Sequence, residues 1–289
     1  MSQPPQHRPE FEIEPAESGV IGDVERPLSF FERVVNNEGA QRLAILMVLI
    51  VVWELYARWL NNSLLFPTFT ETVQTFWHDI RNGVLINRTV TSLRTLAIGY
   101  ACGLILAGLF TTFAVASGIG TRILSTLTAM FNPLPAIALL PLALIWFGLG
   151  TPSLVFVIVH SVLWAVALNT LIGFRGVPET LRMSGRNVGL TGARYVGFIL
   201  IPAAFPSILA GLKIGWAFAW RTLVAAELVF GVSSRSGGIG WYIFEARNDL
   251  DTATVFSGLL TVILIGLFVE SVIFRAIEAR TVNLWGMQR

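Results

Sequence analysis

Charge is scarce in this sequence. Only 13% of its 289 residues are Asp, Glu, Lys or Arg, where a soluble globular chain carries nearer a quarter. Residues 123–174 contain none of the four. A single cysteine, Cys102, excludes a disulfide framework and, lying inside an apolar run, reads as a small buried core residue. His78 has no companion His, Cys or acid cluster at metal-ligand spacing, so it reads as part of a solvated face. The glycine-rich run SRSGGIG (234–240) follows no strand and lacks the Lys-Ser/Thr pair, which excludes a P-loop. Period-two alternation is weak, which argues against a barrel. What the chain has instead is apolar length. It is 54% hydrophobic with a mean hydropathy of +0.68, and several runs reach the roughly 20 residues that cross a bilayer as a helix. The fold class is therefore an all-α polytopic membrane protein with about six transmembrane helices.

The charges present are unevenly placed. Residues 1–40 hold eight acids against three arginines, and the remainder carries 17 basic and 10 acidic residues. The first forty residues are rich in Pro, Glu, Gln and Ser and read as a disordered cytoplasmic tail, with no signal-peptide pattern. LSFFERVV (28–35) is a weak candidate for a short interfacial helix. Residues 41–289 form the membrane domain. The basic surplus is scattered between apolar runs, which suits loops at a membrane face and not nucleic acid.

Spans are expected at 43–60, 92–117, 123–147, 154–174, 203–230 and 254–274. In the first, Glu54 and Arg58 share a helix face at i, i+4 and read as an interfacial pair. Residues 61–91 hold an amphipathic surface helix, capped at Thr70 and striped by Val73, Phe76, Trp77 and Ile80. Span two carries Gly99, Gly103 and Gly108, small surfaces for close helix approach, and residues 118–122 read as a short turn. Span three holds Pro133, Pro135 and Pro141, so it should be kinked or broken. Broken backbone at membrane depth is tolerated only where protein or an aqueous cavity satisfies it. Asn132 beside Pro133 is therefore the best candidate wall of a translocation path, with a packing kink as the plainer alternative. His160 in span four reads as a buried hydrogen-bonding residue, with a proton relay as the alternative. Span five carries Lys213, Arg221 and Glu227, the last two six residues apart and so on different faces. Trp146, Trp220, Arg221 and Glu227 join Asn132, Pro133 and Pro135 as candidate path residues. Arginine's planar fork donates two parallel hydrogen bonds; for Arg221 a structural pair with Glu227 or with an acid on another span is the alternative.

Six spans put both termini on one side. Arg122, Arg175, Arg182, Arg186, Arg194, Arg275, Arg280 and Arg289 share that side. Arg81, Arg88, Arg94, Arg235 and Arg247 lie opposite, diluted by five acids. The excess of basic residues places both termini in the cytoplasm.

Residues 178–202 form a polar, arginine-bearing island between apolar runs. Val177, Leu181 and Val188 give an apolar stripe on a short helix; Arg182, Arg186 and Asn187 lie on its other faces. Gly189 permits a sharp turn, and a second short helix runs from Thr191 toward Ile201 before Pro202. Such an element reads as a handle by which a partner protein moves the membrane domain.

Here the residues resemble the permeases of binding-protein-dependent ABC importers. That family's loop signature has an E-A-A triplet, a glycine four residues after it and I-x-L-P ten residues beyond the glycine. Gly189, Ile199, Ile201 and Pro202 fall in register; the triplet is Met183-Ser184-Gly185. TSLRTLAIGYACGLILAG, NPLPAIALLPLALIWFGLG, PAAFPSILAGLKIGWAFAWRTLVAAEL and SGGIGWYI are similar to the nitrate/sulfonate/taurine-type branch. The resemblance implies a transmembrane permease subunit of an ATP-driven importer for a small anion, located in the bacterial inner membrane and not itself an enzyme. It implies that Arg182, Met183, Ser184, Gly185, Arg186, Asn187, Gly189, Leu190 and Thr191 couple to a cytoplasmic ABC ATPase. Further expected partners are a second copy of the chain and a periplasmic or lipid-anchored substrate-binding protein. ATP and Mg would then be held by the ATPase, and no cofactor or metal by this chain. An ion-gradient-driven secondary transporter, with Glu227, His160 and Lys213 as a relay, is the rival reading.

Overall fold

The computed structural model describes residues 37–230 and 237–282. Within them every regular element is a helix. The tail expected at 1–40 therefore lies outside the described residues up to 36, as do the short helix at 28–35, Arg235 and the basic end from 283. The chain divides into two compact units, one through Val52 and one from Trp53 onward. In the first unit, helix α1 (Glu38–Leu60) opens, and its apolar side chains from Leu43 to Val52, the half-buried Ile50 apart, are exposed, as a lipid-facing surface would be.

In the second unit the chain leaves α1 through contacts the sequence partly announced. Arg58 pairs with Glu54 at 2.7 Å, and Glu54 also accepts from the Thr70 amide and hydroxyl. Helix α2 (Phe69–Arg81) is capped by Thr68, not by the expected Thr70. Thr68 Oγ1 accepts from the Glu71 amide, and Glu71 returns a carboxylate oxygen to the Thr68 amide. This reciprocal box needs Ser or Thr three residues before Glu, a spacing that Thr70 does not have. On α2, Phe76 and Ile80 pack on the core, while Val73 and Trp77 turn outward.

Helix α3 (Val84–Ala116) is longer than the expected span 92–117. Its buried stripe runs Ser92, Leu96, Gly99, Gly103 and Ala107, against α6 (Thr151–Arg175). A Cβ on Gly99 would stand 2.6 Å from Ile158 Cγ2, and one on Gly103 2.7 Å from Val162 Cβ. These glycines let two helix backbones approach closely, the usual device where lipid is as apolar as the side chains. Cys102 falls beside the stripe and is exposed, so the expected buried role is corrected: one residue off the stripe turns it by about 100°.

The expected turn at 118–122 is helical. Ser117 is extended and its hydroxyl accepts from Gly120 N, starting α4 (Gly118–Phe131) at once. The expected single span 123–147 is instead two helical pieces. α4 and a segment beginning with a 3₁₀ turn (Ala136–Leu139) and continuing as α5 (Leu140–Phe147) meet at 87°. Pro133 and Pro135 supply no amide hydrogen at the corner, so the ladder stops there. Pro141 sits in the first turn of α5, where it is tolerated.

After α6 come α7 (Glu179–Asn187), α8 (Gly192–Tyr195), a π-helical turn (Val196–Leu200) and α9 (Ile201–Phe230). α9 packs along α6, with Gly211 and Gly215 against Asn169 and Val166. The described chain then runs through α10 (Ile239–Asn248), α11 (Thr252–Phe268), a π-helical segment (Val269–Phe274) and α12 (Arg275–Arg280). Among the described residues five helical stretches are long and apolar enough to cross a membrane, and the bent pair makes a sixth if it counts as one span.

Candidate functional site

The corner between α4 and α5 opens on a cavity of about 160 Å³. Asn132, Pro133 and Pro135 from the corner line it, with His160, Ser161 and Trp164 from α6 and Phe218 and Thr222 from α9. Three elements thus meet where the backbone is interrupted. Asn132 ends α4, its backbone amide donating to Thr128 O, and the residue is exposed. His160 and Trp164 are one helical turn apart on α6 and share a face. Trp164 stacks on Phe131, with ring centroids 5.2 Å apart and planes 15° from parallel.

The polar groups of this cavity are under-used. Trp164 is only 8% exposed, yet its Nε1 has no hydrogen-bond partner, and neither ring nitrogen of His160 has one. The sequence expectation of a satisfied, hydrogen-bonded histidine is therefore corrected. Ser161 and Thr222 join hydroxyl to hydroxyl at 2.9 Å. A buried donor left unpaired costs about 1–3 kcal/mol. Among the described residues, no carboxylate lines the cavity.

Arg221 stands just outside. Its guanidinium lies 5.1 Å from the ring of Phe218, one of the lining residues. Its Nε donates to Ala217 O of its own helix, and the residue is exposed. It does not pair with Glu227, so that structural alternative is set aside. The other expected path residues lie elsewhere. Trp146 is 58% exposed and packs edge-on to Phe156. Trp220 is buried and donates to Val262 O of α11.

Glu227 is 1% exposed and belongs to a separate polar cluster. Its carboxylate accepts from Ser92 Oγ and from the Gly240 amide, while Ser92 Oγ accepts from the Ile239 amide. A carboxylate thus sits at the first turn of α10, where free amides and the helix dipole favour negative charge. Arg88 donates to Gly237 O and pairs with Glu245 at 2.8 Å. A Cβ on Gly238 would stand 2.2 Å from Glu227 Oε1, so the glycines at 238 and 240 make room for an internal carboxylate. Lys213 pairs with Glu278 at 2.7 Å. Of the supposed relay, Glu227 and Lys213 are thereby committed to different neighbours, and His160 lies apart from both at the α4–α5 corner.

The loop at 178–202 opens with the short helix α7 and turns at Gly189, whose φ of +76° suits glycine. The expected second short helix ending before Pro202 is corrected: α8, the π-helical turn and α9 follow one another without a break from Gly192 to Phe230. The loop's triplet has a structural division of labour. Met183 is exposed, Ser184 Oγ donates back to Thr180 O, and Gly185 is buried. A Cβ at Gly185 would stand 2.8 Å from Ile199 Cγ1 and 3.2 Å from the Tyr195 ring, so the smallest residue seats α7 on the segment that follows. Arg182 turns inward: its guanidinium donates to the carbonyls of Val177 and Phe174 and caps the end of α6. Arg186, Asn187, Gly189 and Thr191 are exposed, and Leu190 is half-buried.

A profile described as "Binding-protein-dependent transport system inner membrane component" matches residues 99–283. The chain belongs to this family. It is a membrane-embedded permease subunit of a transport system, and this sets aside the secondary-transporter reading. The nitrate import permease NrtB of Synechocystis sp. is 27% identical to this permease over 253 residues, 84% of this chain and 89% of its own. The taurine transport permease TauC of Escherichia coli K12 is 33% identical over 148 residues, 51% of this chain and 52% of its own. An Escherichia coli SsuC protein, whose name provisionally assigns it to aliphatic sulfonate transport, is 29% identical over 75% of this chain and 82% of its own. A chain from a crystal structure of an amino acid ABC transporter with histidines shares 17% identity at a TM-score of 0.51. It covers 71% of this permease and 95% of that chain. At that identity the likeness concerns the fold.

Sequence reading found Asn132 and the prolines by their oddity in an apolar run. It passed over Ser161, Trp164, Phe218 and Thr222. A signal existed on α6, where His160, Ser161 and Trp164 place polar-tipped side chains within one turn. Nothing in the sequence brings Phe218 and Thr222 to the corner; only the packing of α9 on α6 does.

Proposed function

We propose that this permease imports a small oxyanion or sulfonate, of the sulfonate, taurine or nitrate kind, through a path that includes the corner at Asn132, Pro133 and Pro135. The observation that carries this reading is the cavity at the broken helix, lined by Asn132, His160, Ser161 and Thr222 and, among the described residues, by no acid. The names borne by NrtB, TauC and SsuC agree with it. Two copies of the chain pair in the inner membrane with both termini in the cytoplasm, and a periplasmic or lipid-anchored binding protein delivers the substrate. Two cytoplasmic ABC ATPases dock on the loops at 178–202 and hold ATP and its Mg²⁺. Closure of the ATPases moves α7 as a rigid lever about Gly189. Arg186 and Asn187 face outward on that lever, so they and not the inward-turned Arg182 meet the ATPase.

The test is uptake by the reconstituted complex of labelled taurine, methanesulfonate and nitrate, beside a neutral amino acid and a monovalent cation as controls. Accumulation of at least one anion and neither control is expected. Accumulation of the amino acid or the cation instead would overturn the anion reading.

A further inference from the structure

A larger cavity, about 900 Å³ in volume, lies where the loop at 178–202 meets the membrane helices. Its walls are α3 from Leu104 to Val115, α6 from Val166 to Phe174 and α9 from Ile201 to Leu212. At 1.5 Å per residue the α3 and α9 walls each run about 16 Å. That is half of the roughly 30 Å hydrocarbon core of a bilayer, the depth of one leaflet. Val115 packs with Phe174 and Leu200 at the end nearest the loop. Gly108 and Thr112 on the α3 wall are exposed, so this is a groove and not a sealed void. The charged side chains lining it, Arg182 and Arg186, both come from α7. Among the described residues no acid lines it. Arg182 donates Nε and Nη2 to carbonyls, whereas Arg186 is exposed and forms no ion pair among the described residues.

We propose that this groove binds an anionic phospholipid, one acyl chain along Gly108 and Thr112 and the phosphate at Arg186, with Arg182 adding positive charge. A recess one leaflet deep and cationic only at its loop end matches such a lipid, tail inward and head group outward. Lipid tails are as apolar as the walls, so burial alone favours no lipid over another. The selection comes from charge, as in other basic recesses between membrane helices. The Arg186 guanidinium carries five donors, enough for a phosphate beneath the loop and for the ATPase contact above it. The site depends on the chain lying in a membrane and not on which substrate it carries.

The complete permease–ATPase complex is placed in phosphatidylcholine vesicles holding a trace of phosphatidylglycerol with a photoactivatable acyl chain, and the labelled peptides are mapped. Wild type is expected to carry label on residues 104–115 and 201–212. Unlabelled phosphatidylglycerol should compete for it about fivefold or more better than added phosphatidylcholine, the preference that one well-placed arginine supplies. Gly108 lines the groove and a Cβ there meets nothing within 4 Å, so Gly108→Phe adds its ring where space is open and should remove most of the label. Thr112→Phe makes the same test where the first variant does not assemble, and the wild-type map decides alone if neither does. Label spread evenly over the exposed helices, competition blind to the head group, or groove label unchanged in an assembled variant overturns the site. An unlabelled groove in wild type, with single permease chains released by Gly108→Phe, would put a second copy of the chain there and overturns it too.

Discussion

The Ser92 hydroxyl donates to the Glu227 carboxylate across the α3–α9 contact, 2.8 Å from Oε2. The same hydroxyl accepts the Ile239 amide, and Glu227 accepts that of Gly240, so two membrane helices and the start of α10 are fastened at one point. Glu227→Ala would leave buried donors unpaired at about 1–3 kcal/mol each, whereas Glu227→Gln keeps an acceptor oxygen. A clearly lower melting temperature for the alanine variant in detergent is expected, with the glutamine variant between it and wild type. Equal melting of Glu227→Ala and wild type would contradict the fastening role.

Gly185 is where the loop tolerates least. Gly185→Leu forces a side chain into the space held by Ile199 and Tyr195, an overpacking cost of about 1–3 kcal/mol. Gly189→Pro demands φ near −65° where the chain has +76°. Both variants should insert in the membrane normally and lose most co-purifying ATPase. Normal recovery of the ATPase with either would count against the lever.

Arg186 and Arg182 should behave differently. Arg186→Ala is expected to weaken ATPase co-purification with the permease's melting unchanged. Arg182→Ala uncaps α6 and should lower the melting temperature first, because two carbonyls lose a charged donor. The reverse pattern would exchange their roles.

Tyr242 donates to the Asp79 carboxylate, tying α10 to α2. Burial, and then this hydrogen bond, push the phenol up from its ordinary value. A pKa raised on folding favours the protonated form, so the contribution is complete below the unfolded value of about 10 and is lost only as pH rises beyond it. Tyr242→Phe should therefore lower the melting temperature by the same amount at pH 6 and pH 8. A difference between those two values would show that another group titrates in the contact.

Lys213 and Glu278 are each about a quarter to a third exposed, where an ion pair is worth about 1 kcal/mol or less. Lys213→Met should leave uptake within about twofold of wild type. A complete loss would return Lys213 to the transport chemistry.

How far the sequence reached depended on whether a signal was local. Span positions followed from apolar length, and the broken third span from the two prolines, because each is written within one stretch. The Gly99 and Gly103 contact was legible for the same reason. Thr68 and Thr70 both suit a cap by residue type, and only Thr68 stands three residues before Glu71, where the reciprocal bond can form. Cys102 was placed in the core because an apolar run does not tell a lipid face from a protein face. Arg221 and Glu227 looked like partners in one dimension; α3 and α10 supply Glu227's real neighbours from more than a hundred and from about a dozen residues away. The donors of the cavity needed α6 and α9 packed together before Thr222 and Ser161 met.

The central claim is that this permease moves its substrate by ATP hydrolysed on a docked partner. Uptake by proteoliposomes containing the permease, its ATPase and its binding protein is measured with ATP inside, with a non-hydrolysable analogue, and with a proton or sodium gradient alone. Accumulation only with ATP is the predicted result. Accumulation driven by either gradient in the absence of ATP would contradict it.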